Sequence, residues 1–391
     1  MWNTAPTAIP SSLQSEGWQM LATLVSGLLA AGCQVHVPFD GRIVSPRQRQ
    51  NFQQNGSLCA SQGSATLAAT ATAQLQWREV TSDRLLEQWL AAIGDCSLAW
   101  LIAPEIDHTL PQLVEDLTVA GVTLLNCKGT FLRNACDKLS TAQSLKSAGI
   151  SHPETCGLEN VDQGWLDCTE PLSAIDRKRA RWIVKPVDGA GCDRISLVDR
   201  VTIQRLQQNQ LRIQQHRTNS RGLDQPTTMI VQPWLDGIPA SCSAIVDSSG
   251  RCHWLPLVSQ DFASCDEASN ASNVQVEHFE VSDAEISPLR YMGCTLPPRG
   301  LPATAPKELL QSVVAALGPG AAGWIGIDLL YHPRSQNWIV IEVNPRCTSS
   351  LIGLSQAYSG NLVFDAWRLQ AGIIDKLAGQ FHPTQFRLES P

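Results

Sequence analysis

Two short stretches in the last fifth of the sequence decide the fold: Trp324-Ile325-Gly326-Ile327-Asp328-Leu329 and Ile341-Glu342-Val343-Asn344-Pro345-Arg346. Read as two β-strands, they present Asp328, Glu342 and Asn344 as oxygen ligands from neighbouring backbones. Because side chains alternate along a strand, Glu342 and Asn344 share one face. The opposite, core-facing side is expected to hold Ile339, Ile341 and Val343. Magnesium usually takes one or two carboxylates and completes its shell with phosphate and water. The strands therefore predict a site for magnesium and a nucleoside triphosphate, and an ordinary hairpin with surface acids is the alternative.

A lysine and a glycine-rich turn upstream fit such a site. Lys185 lies near the end of an apolar run from Arg181 to Pro186, and Gly189-Ala190-Gly191 follow shortly after it. A lysine at a strand end can bind phosphate as a point charge, and glycines let backbone N–H groups approach phosphate oxygens. The segment is neither a Walker loop nor a Rossmann fingerprint, because their further required residues are missing. A hairpin turn beside a solvated lysine is the alternative.

A second lysine and a polar hinge complete the pattern. Lys138 follows Asp137, the predicted N-cap of a helix that runs to about Ala148 and stops at Gly149. Taken alone, Lys138 would be a solvated residue of the first turn. The segment Met229 to Gly237 is an apolar strand that ends in a polar hinge, with a second strand from Ala240 to Val246. Such a hinge can offer backbone groups to an adenine edge.

In this order the four signals resemble the ATP-grasp superfamily, whose members hold ATP between two α+β subdomains. The resemblance runs from about Leu13 to Leu369. Its more specific part is to the branch that contains tyramine–glutamate ligase of methanofuran biosynthesis. The stretches that carry this part are Ser15-Glu16-Gly17-Trp18-Gln19-Met20-Leu21, Leu101-Ile102-Ala103-Pro104-Glu105, Lys185-Pro186-Val187-Asp188-Gly189-Ala190-Gly191, Val231-Gln232-Pro233-Trp234-Leu235-Asp236-Gly237 and Glu342-Val343-Asn344-Pro345-Arg346-Cys347-Thr348-Ser349-Ser350.

The resemblance implies a role for each matching residue. ATP would be held by two phosphate-binding lysines, the lid loop and the adenine hinge, namely Lys138, Lys185, Asp188, Gly189, Ala190, Gly191, Gln232, Trp234, Leu235 and Asp236. Magnesium, with Mn²⁺ as an alternative, would be held by Asp328, Glu342 and Asn344. Arg346 would face the transferred phosphoryl group, and with Lys185 it is the expected catalytic residue. A guanidinium suits this role because its fork of N–H donors matches phosphate oxygens.

The implied reaction forms an amide in two steps. A substrate carboxylate attacks the γ-phosphorus of ATP to give an acyl phosphate and ADP, and an amine then displaces phosphate. Glutamate with an amine such as tyramine is the pair that the branch suggests. Two alternatives stay open: another carboxylate chemistry, with bicarbonate or an acyl-phosphate product, and a non-catalytic nucleotide-binding protein.

The sequence departs from the family pattern at three places. Gln232 stands where many relatives carry an acid, and Pro233 lacks an N–H, so the hinge donor is expected to be Trp234 or Leu235. Cys192 replaces a further glycine of the lid loop. Met1 to Pro10 form no convincing strand, although such enzymes usually open on one.

Composition limits the class of protein. The chain has 391 residues and a net charge of −7 without a basic run, which argues against a nucleic-acid partner. The 13 cysteines are scattered and form no Cys-x-x-Cys pair, so small buried thiols are expected rather than zinc or disulfides. No run of 18 apolar residues and no leader pattern occur, so we expect a cytoplasmic protein without a membrane partner. The expected partners are a small carboxylate and an amine, and a homodimer is left open.

The predicted fold class is α/β and α+β: an ATP-grasp fold with an N-terminal Rossmann-like pre-ATP-grasp domain. The predicted division is 1–130 (pre-ATP-grasp), 131–246 (small lid-bearing subdomain) and 247–391 (metal-bearing subdomain). In the first part, strands are expected at Leu98–Ala103 and Val122–Asn126 and helices at Leu13–Ala31, Ser82–Ile93 and Leu110–Ala120. The Gln-rich span Gln207–Thr228 is expected to be mobile, at least at its Thr218–Pro226 end. Beyond Arg346, hydroxyls of Thr348, Ser349 and Ser350 could hold a small substrate, and a helix N-cap at Ser349 or Ser350 is the alternative.

Overall fold

The computed structural model describes residues 11–55, 74–81, 85–94, 96–169, 181–189, 194–217, 228–264 and 287–388. Within these ranges no helix has the length and apolarity needed to cross a membrane. The features predicted at Met1–Pro10 and at Ala190–Cys192 lie outside the described residues.

The amino-terminal part alternates helices and strands, as the sequence predicts. Its two strands pair in parallel along their full length, as expected of an α/β unit. Trp18 stacks on Trp77 with ring centroids 6.2 Å apart, and Phe52 packs edge-on against both rings to close the small core. The elements are α1 (Ser11–Ala30), β1 (Val35–Asp40), α2 (Pro46–Asn55), β2 (Leu75–Val80), α3 (Leu85–Ile93) and α4 (Thr109–Val119).

Two strands predicted in this part are wrong. The segments Leu98–Ala103 and Val122–Asn126 meet only at an isolated parallel bridge between Ala99 and Leu124. Asn126 explains why no ladder extends from the bridge. Its side-chain oxygen accepts from the Leu101 N–H at 2.9 Å and its side-chain nitrogen donates to the Leu101 carbonyl at 2.9 Å. A side-chain amide thus takes both backbone groups that a neighbouring strand would have paired.

The central part is a helical pair followed by a small antiparallel sheet. The elements are α5 (Gly129–Cys136), α6 (Lys138–Ser147), β3 (Cys156–Gly157), α7 (Gln163–Cys168), β4 (Trp182–Pro186), β5 (Ser196–Val198), α8 (Arg200–Arg217) and β6 (Met229–Pro233). The strand order in this sheet is β5-β4-β6-β3.

The first part of the span predicted to be mobile is helical, because α8 continues from Arg200 to Arg217. Helix-favouring Gln, Arg and Leu fill it, and neither Gly nor Pro interrupts it. Ile203 and Leu206 anchor its start in a buried cluster. The Gln207 amide donates at 2.7 Å to the carbonyls of Leu158 and Val161. Residues 218–227 of the span lie outside the described part of the chain.

The carboxyl-terminal part is a larger antiparallel sheet whose two central strands, Ile238–Val246 and Gly323–His332, are mostly apolar and buried. The elements are β7 (Ile238–Val246), β8 (Cys252–Trp254), β9 (Val258–Ser264), β10 (Ser287–Leu296), α9 (Lys307–Ala316), β11 (Gly323–His332), β12 (Asn337–Asn344), α10 (Ser350–Ala357), α11 (Leu362–Gln370) and β13 (Thr384–Arg387). The strand order is β12-β11-β7-β9-β10. The start of β10 also pairs with β5, which joins this sheet to the smaller one.

Helix α1 packs against the carboxyl-terminal helices although it belongs to the start of the chain. The Asn361 side chain donates to the Gly27 carbonyl at 2.6 Å. A Cβ atom at Gly27 would lie 2.6 Å from the Cβ atom of Val363, so only glycine permits this approach without a shift. The contact fixes α1 relative to α11, and it brings the first turns of α1 to the cleft described next.

Candidate active site

The predicted oxygen ligands meet on neighbouring strands. Strands β11 and β12 are antiparallel, with Asp328 opposite Glu342 and Gly326 opposite Asn344. All three predicted ligands line one cleft, which has about 720 Å³ of space not occupied by protein atoms, some of it open to solvent. The predicted common face of Glu342 and Asn344 is confirmed.

The core-facing side of β12 differs from the prediction. The register slips after Asp328, so Ile341 is an extra residue in a β-bulge and the alternation shifts by one. Val340 and Val343 both lie in the main core, whereas the prediction placed only Val343 of these two there. Ile339 and Ile341 are only half-buried, and Ile341 lines a second, smaller cavity behind Glu342.

Asp328 is a carboxylate held in a polar cage. Gln260 donates to its Oδ1 atom at 3.1 Å and Asn344 donates to its Oδ2 atom at 3.2 Å. Burial, followed by the charge of Glu342, raises the pKa of Asp328 to about 6, against the hydrogen bonds of Ser241, Asn344 and Gln260. Two carboxylates that repel each other across a strand pair are a suitable place for a cation.

Both predicted lysines converge on Glu342. Lys138 Nζ lies 3.3 Å from Glu342 Oε1, and Lys185 Nζ lies 4.0 Å from Oε2. Burial opposes the charge of Glu342, but the two lysine charges and the hydrogen bond from Lys138 outweigh it and hold the pKa of Glu342 below its usual range. Lys138 also donates to the Gly189 carbonyl at 2.6 Å, which ties it to the start of the predicted lid loop.

The N-cap of α6 fixes the position of Lys138, the first residue of that helix. The Asp137 carboxylate accepts from the Ser140 N–H at 2.6 Å, so it is the predicted N-cap of α6. Gly149 follows the helix with a φ of 68°, a conformation typical of a helix stop. The Lys138 N–H donates to the Val187 carbonyl at 2.9 Å, which joins α6 to the turn after β4. Lys138 is buried, so its reading as a solvated first-turn residue is wrong.

Two parts of the predicted ATP site lie away from this cleft. The Asp188 carboxylate is buried and accepts from the Asp107 N–H at 2.7 Å, so it holds a neighbouring turn. Trp234, Leu235 and Asp236 line neither of the two described cavities. The Trp234 N–H donates to the Arg181 carbonyl at 3.0 Å, which leaves Leu235 as the available donor of the two predicted.

Gln232 behaves differently from the rest of the hinge. It is buried, and its amide donates to Thr155 Oγ1 at 2.8 Å. It lines the smaller cavity together with Lys138, Ile341 and Glu342. This cavity has about 260 Å³ of space not occupied by protein atoms, some of it open to solvent. Gln232 is therefore the predicted hinge residue that the fold brings next to Lys138 and Glu342.

Arg346 lines the cleft but is also held by the protein. Its Nε atom donates to both oxygens of Glu105, at 2.9 and 3.0 Å, and one Nη atom donates to the Cys347 carbonyl at 3.0 Å. Burial works against the charge of Arg346, but Glu105 outweighs it and raises the guanidinium pKa. Glu105 lies in Leu101–Glu105, one of the stretches that carry the family resemblance, but no role could be predicted for it from the sequence.

The other end of the cleft is lined by residues to which the sequence gave no definite role. Glu16, on α1, lines this end together with Arg346 and Ser349. Tyr291 lines it too, and it packs edge-on against Phe262 with ring centroids 5.7 Å apart. The only sequence signal for Glu16 was its place in the matching stretch Ser15–Leu21.

Comparisons with known proteins agree with this architecture. The family model for the ATP-grasp domain matches residues 135–350, and the model for the pre ATP-grasp 3 domain matches residues 65–130. The chain therefore belongs to the ATP-grasp family, and the predicted fold class is confirmed. A search of curated proteins found no match.

Solved structures share the fold at low sequence identity. A protein of the ATP-grasp superfamily from Archaeoglobus fulgidus is 17% identical, with 98% of this chain and 95% of that chain covered and a TM-score of 0.53. N5-carboxyaminoimidazole synthetase from Staphylococcus aureus, complexed with ADP, is 13% identical, with 90% and 75% covered and a TM-score of 0.57. Biotin carboxylase from Campylobacter jejuni, in complex with an ATP ligand, is 11% identical, with 90% and 69% covered and a TM-score of 0.58.

Proposed function

We propose that this chain is an ATP-dependent, ADP-forming ligase that joins a carboxylate to an amine through an acyl phosphate. The observation that carries the proposal is the convergence of charged groups from distant parts of the chain on one cleft. These groups are Lys138, Lys185, Asp328, Glu342 and Arg346. The ADP and ATP ligands of the two structural neighbours support a nucleotide in this cleft.

The two lysines would bind the phosphates of ATP. Both side chains are buried and point to the same carboxylate. Buried cations need anionic partners, and phosphate oxygens would supply them. Positioning and charge stabilisation provide most of the catalysis in phosphoryl transfer, so a cage of fixed cations is sufficient.

The donor set also fits magnesium. Asp328, Glu342 and Asn344 offer two carboxylates and one amide oxygen, the hard donors that magnesium takes alongside phosphate and water. Burial and, after it, the charge of Glu342 raise the pKa of Asp328, and a divalent cation would relieve the repulsion between the two carboxylates. No group of three or more His, Cys, Asp or Glu side chains lies together as a metal centre within the described ranges. A bound magnesium ion would neutralise charge on the phosphates during transfer.

Arg346 would stabilise the acyl phosphate. Glu105 fixes the guanidinium through Nε, so its orientation is set before substrate arrives. No nucleophilic side chain is required, because the substrate carboxylate itself attacks the γ-phosphorus. Cys347, next to Arg346, fits this view, since burial raises its thiol pKa and keeps it protonated.

The proposed substrates follow the branch resemblance: glutamate as the carboxylate, with an amine such as tyramine. The stretch from Glu342 to Ser350 supports this choice, because its matching residues line the cleft beside Arg346. The test is ADP and phosphate release from Mg-ATP with glutamate and other amino acids, with and without tyramine and other amines. Amide identified by mass spectrometry would support the ligase. Turnover that requires bicarbonate and no amine, or nucleotide binding without any turnover, would overturn it.

A further inference from the structure

Glu16 occupies a position that the binding of ATP does not explain. It lies in the first turns of α1 and lines the same cleft as Lys138, Glu342 and Arg346. The close packing of Gly27 against Val363 holds α1 in place. The carboxyl group of Glu16 is therefore carried into the cleft by a helix that is anchored elsewhere.

Ser349 lies in the cleft with Glu16 and does not cap its own helix. It is the N-cap residue of α10, yet its side chain makes no capping hydrogen bond. Serine is favoured at this position because its oxygen normally accepts from the first turn. Here Ser349 is buried and lines the cleft together with Glu16 and Tyr291. Three side chains with hydrogen-bonding groups, from α1, the start of α10 and β10, therefore line the same cleft.

The charges around Glu16 are unbalanced. Arg346 is the cation beside it, but Glu105 already takes the Nε atom of that guanidinium. Two carboxylates for one guanidinium leave one negative charge at this end of the cleft. Burial raises the pKa of Glu16, against the opposing effects of Arg346 and Ser349. A carboxylate with a raised pKa is a better proton acceptor.

We propose that Glu16 binds the ammonium group of the amine substrate and takes its proton, with Ser349 and Tyr291 as the positioning residues. The inference rests on the proposed ligase function and adds the residue that makes the amine nucleophilic. An ammonium ion at Glu16 balances the extra negative charge, and it lies in the same cleft as Arg346, where the acyl phosphate is held.

The step is balanced in protons and electrons. The ammonium group gives one proton to the Glu16 carboxylate and becomes a neutral amine. The nitrogen lone pair then attacks the acyl carbon, the carbon–oxygen bond to phosphate breaks, and phosphate leaves with that electron pair. The second nitrogen proton passes to the departing phosphate, and Glu16 later releases its proton to solvent.

Glu16→Gln tests the proposal because it keeps the shape and removes the base. The experiment measures two products with the same purified enzyme and the carboxylate that the wild type accepts. The first is amide from a protonated amine, and the second is hydroxamate from hydroxylamine, which is already neutral at neutral pH. Without the base, amide formation should fall by about 100-fold or more, while hydroxamate and ADP formation with hydroxylamine should persist. Glu115→Gln, at an exposed glutamate of α4, is the matched control.

A pH profile separates proton transfer from a structural role. The wild-type rate of amide formation should fall at low pH with a limb above the ordinary pKa of glutamate, and Glu16→Gln should lack that limb. The groups that act on Glu16 from the packed elements are Arg346, Ser349 and Glu105. Ser349→Ala should weaken amide formation in the same direction as Glu16→Gln, with nucleotide affinity unchanged.

The outcomes separate the two proposals. A wild-type enzyme that forms neither amide nor hydroxamate contradicts the ligase function itself. A wild type that forms both, with Glu16→Gln equal to it in both, overturns the role of Glu16 alone. Two further results would also overturn it. Equal loss of both products in Glu16→Gln would show that Glu16 is needed even when the amine is already neutral. A wild type that forms hydroxamate but no amide would show that the enzyme has no ammonium substrate for Glu16 to deprotonate.

Discussion

The Nζ atom of Lys138 lies 3.3 Å from Oε1 of Glu342, and the Lys185 Nζ atom lies 4.0 Å from the other oxygen of the same carboxylate. One carboxylate therefore lies between two buried cations. The sequence predicts that Glu342 binds a metal and that the lysines bind phosphate, and in the structure the three side chains meet at one place. Under the proposed function, Glu342 would offset part of the lysine charge and would also stand next to the ion that accompanies the phosphates.

Glu342→Gln should affect both turnover and stability. The two buried lysines would lose the negative charge of Glu342, and breaking a buried ion pair destabilises a protein by about 3 to 5 kcal/mol. ADP release should fall by about 100-fold or more, because fixed charge around the phosphates is lost. The measurements are initial rates of ADP release with the accepted substrates and the free energy of unfolding in urea.

Glu154→Gln is the control for this variant. Glu154 is exposed and pairs with Lys146 at 3.1 Å on the surface, and such pairs contribute about 1 kcal/mol or less. It should leave ADP release unchanged. If Glu342→Gln released ADP as fast as Glu154→Gln, the assignment of Glu342 to the nucleotide site would be wrong.

Local pattern was sufficient to predict part of this site. Glu342 and Asn344 could be placed on one face because alternation over three residues holds even beside a bulge. Asp137 could be predicted as a cap because its partner is three residues away. The bulge at Ile341 could not be predicted, since it depends on how β12 pairs with β11.

Contacts between distant segments could not be predicted from the sequence. Arg346 and Glu105 are 241 residues apart in the chain and yet form the buried pair that fixes the guanidinium. The same holds for the Asp188 side chain, which serves the turn at Asp107. Matching stretches flagged Glu16 and Glu105 as notable residues, but only the packing of α1 and of the turn before α4 gives them a role.

Glu105→Gln should reduce turnover more than nucleotide binding. The pair is buried, with side-chain exposures of 6% for Arg346 and 5% for Glu105. A neutral amide in place of Glu105 removes the charge that orients the guanidinium, so kcat should fall by about 100-fold. The Kd for ADP, measured by calorimetry, should stay near the wild-type value because the lysines are unchanged. An unchanged kcat would contradict the positioning role, and Glu115→Gln serves again as the exposed control.

Gln232→Leu should weaken nucleotide binding without touching the charged cage. Its amide is buried, lines the smaller cavity beside Lys138 and donates to Thr155, whose hydroxyl keeps its own bond to the Pro153 carbonyl in the variant. A nucleotide group that loses the amide as its hydrogen-bond partner costs about 1 to 3 kcal/mol, so the Kd for ADP should rise by about tenfold. Calorimetric titration checks this, with Gln143→Leu at an exposed position of α6 as control. Equal affinities in both variants would remove Gln232 from the proposed site.

Asp247→Asn should change the acid stability of the protein, because Asp247 organises the turn between β7 and β8. Its carboxylate accepts from the Ser249 N–H at 2.9 Å, from the Arg251 N–H at 3.0 Å and from His253 Nε2 at 2.9 Å. Burial opposes its charge, but these bonds prevail and lower the pKa of Asp247 to about 2. An acid whose folded pKa lies below its unfolded value, about 4, stabilises the protein above pH 4 and loses this contribution as the pH falls from about 4 to about 2. The free energy of unfolding of the variant should be lower by roughly 2 kcal/mol at neutral pH, and the difference from wild type should vanish by about pH 2. Urea unfolding between pH 2 and pH 7 measures this difference, with Asp375→Asn at an exposed position as control. A difference in the free energy of unfolding that stays constant across this range would contradict the prediction. It would show that the lost contacts, and not the titration of Asp247, set the effect.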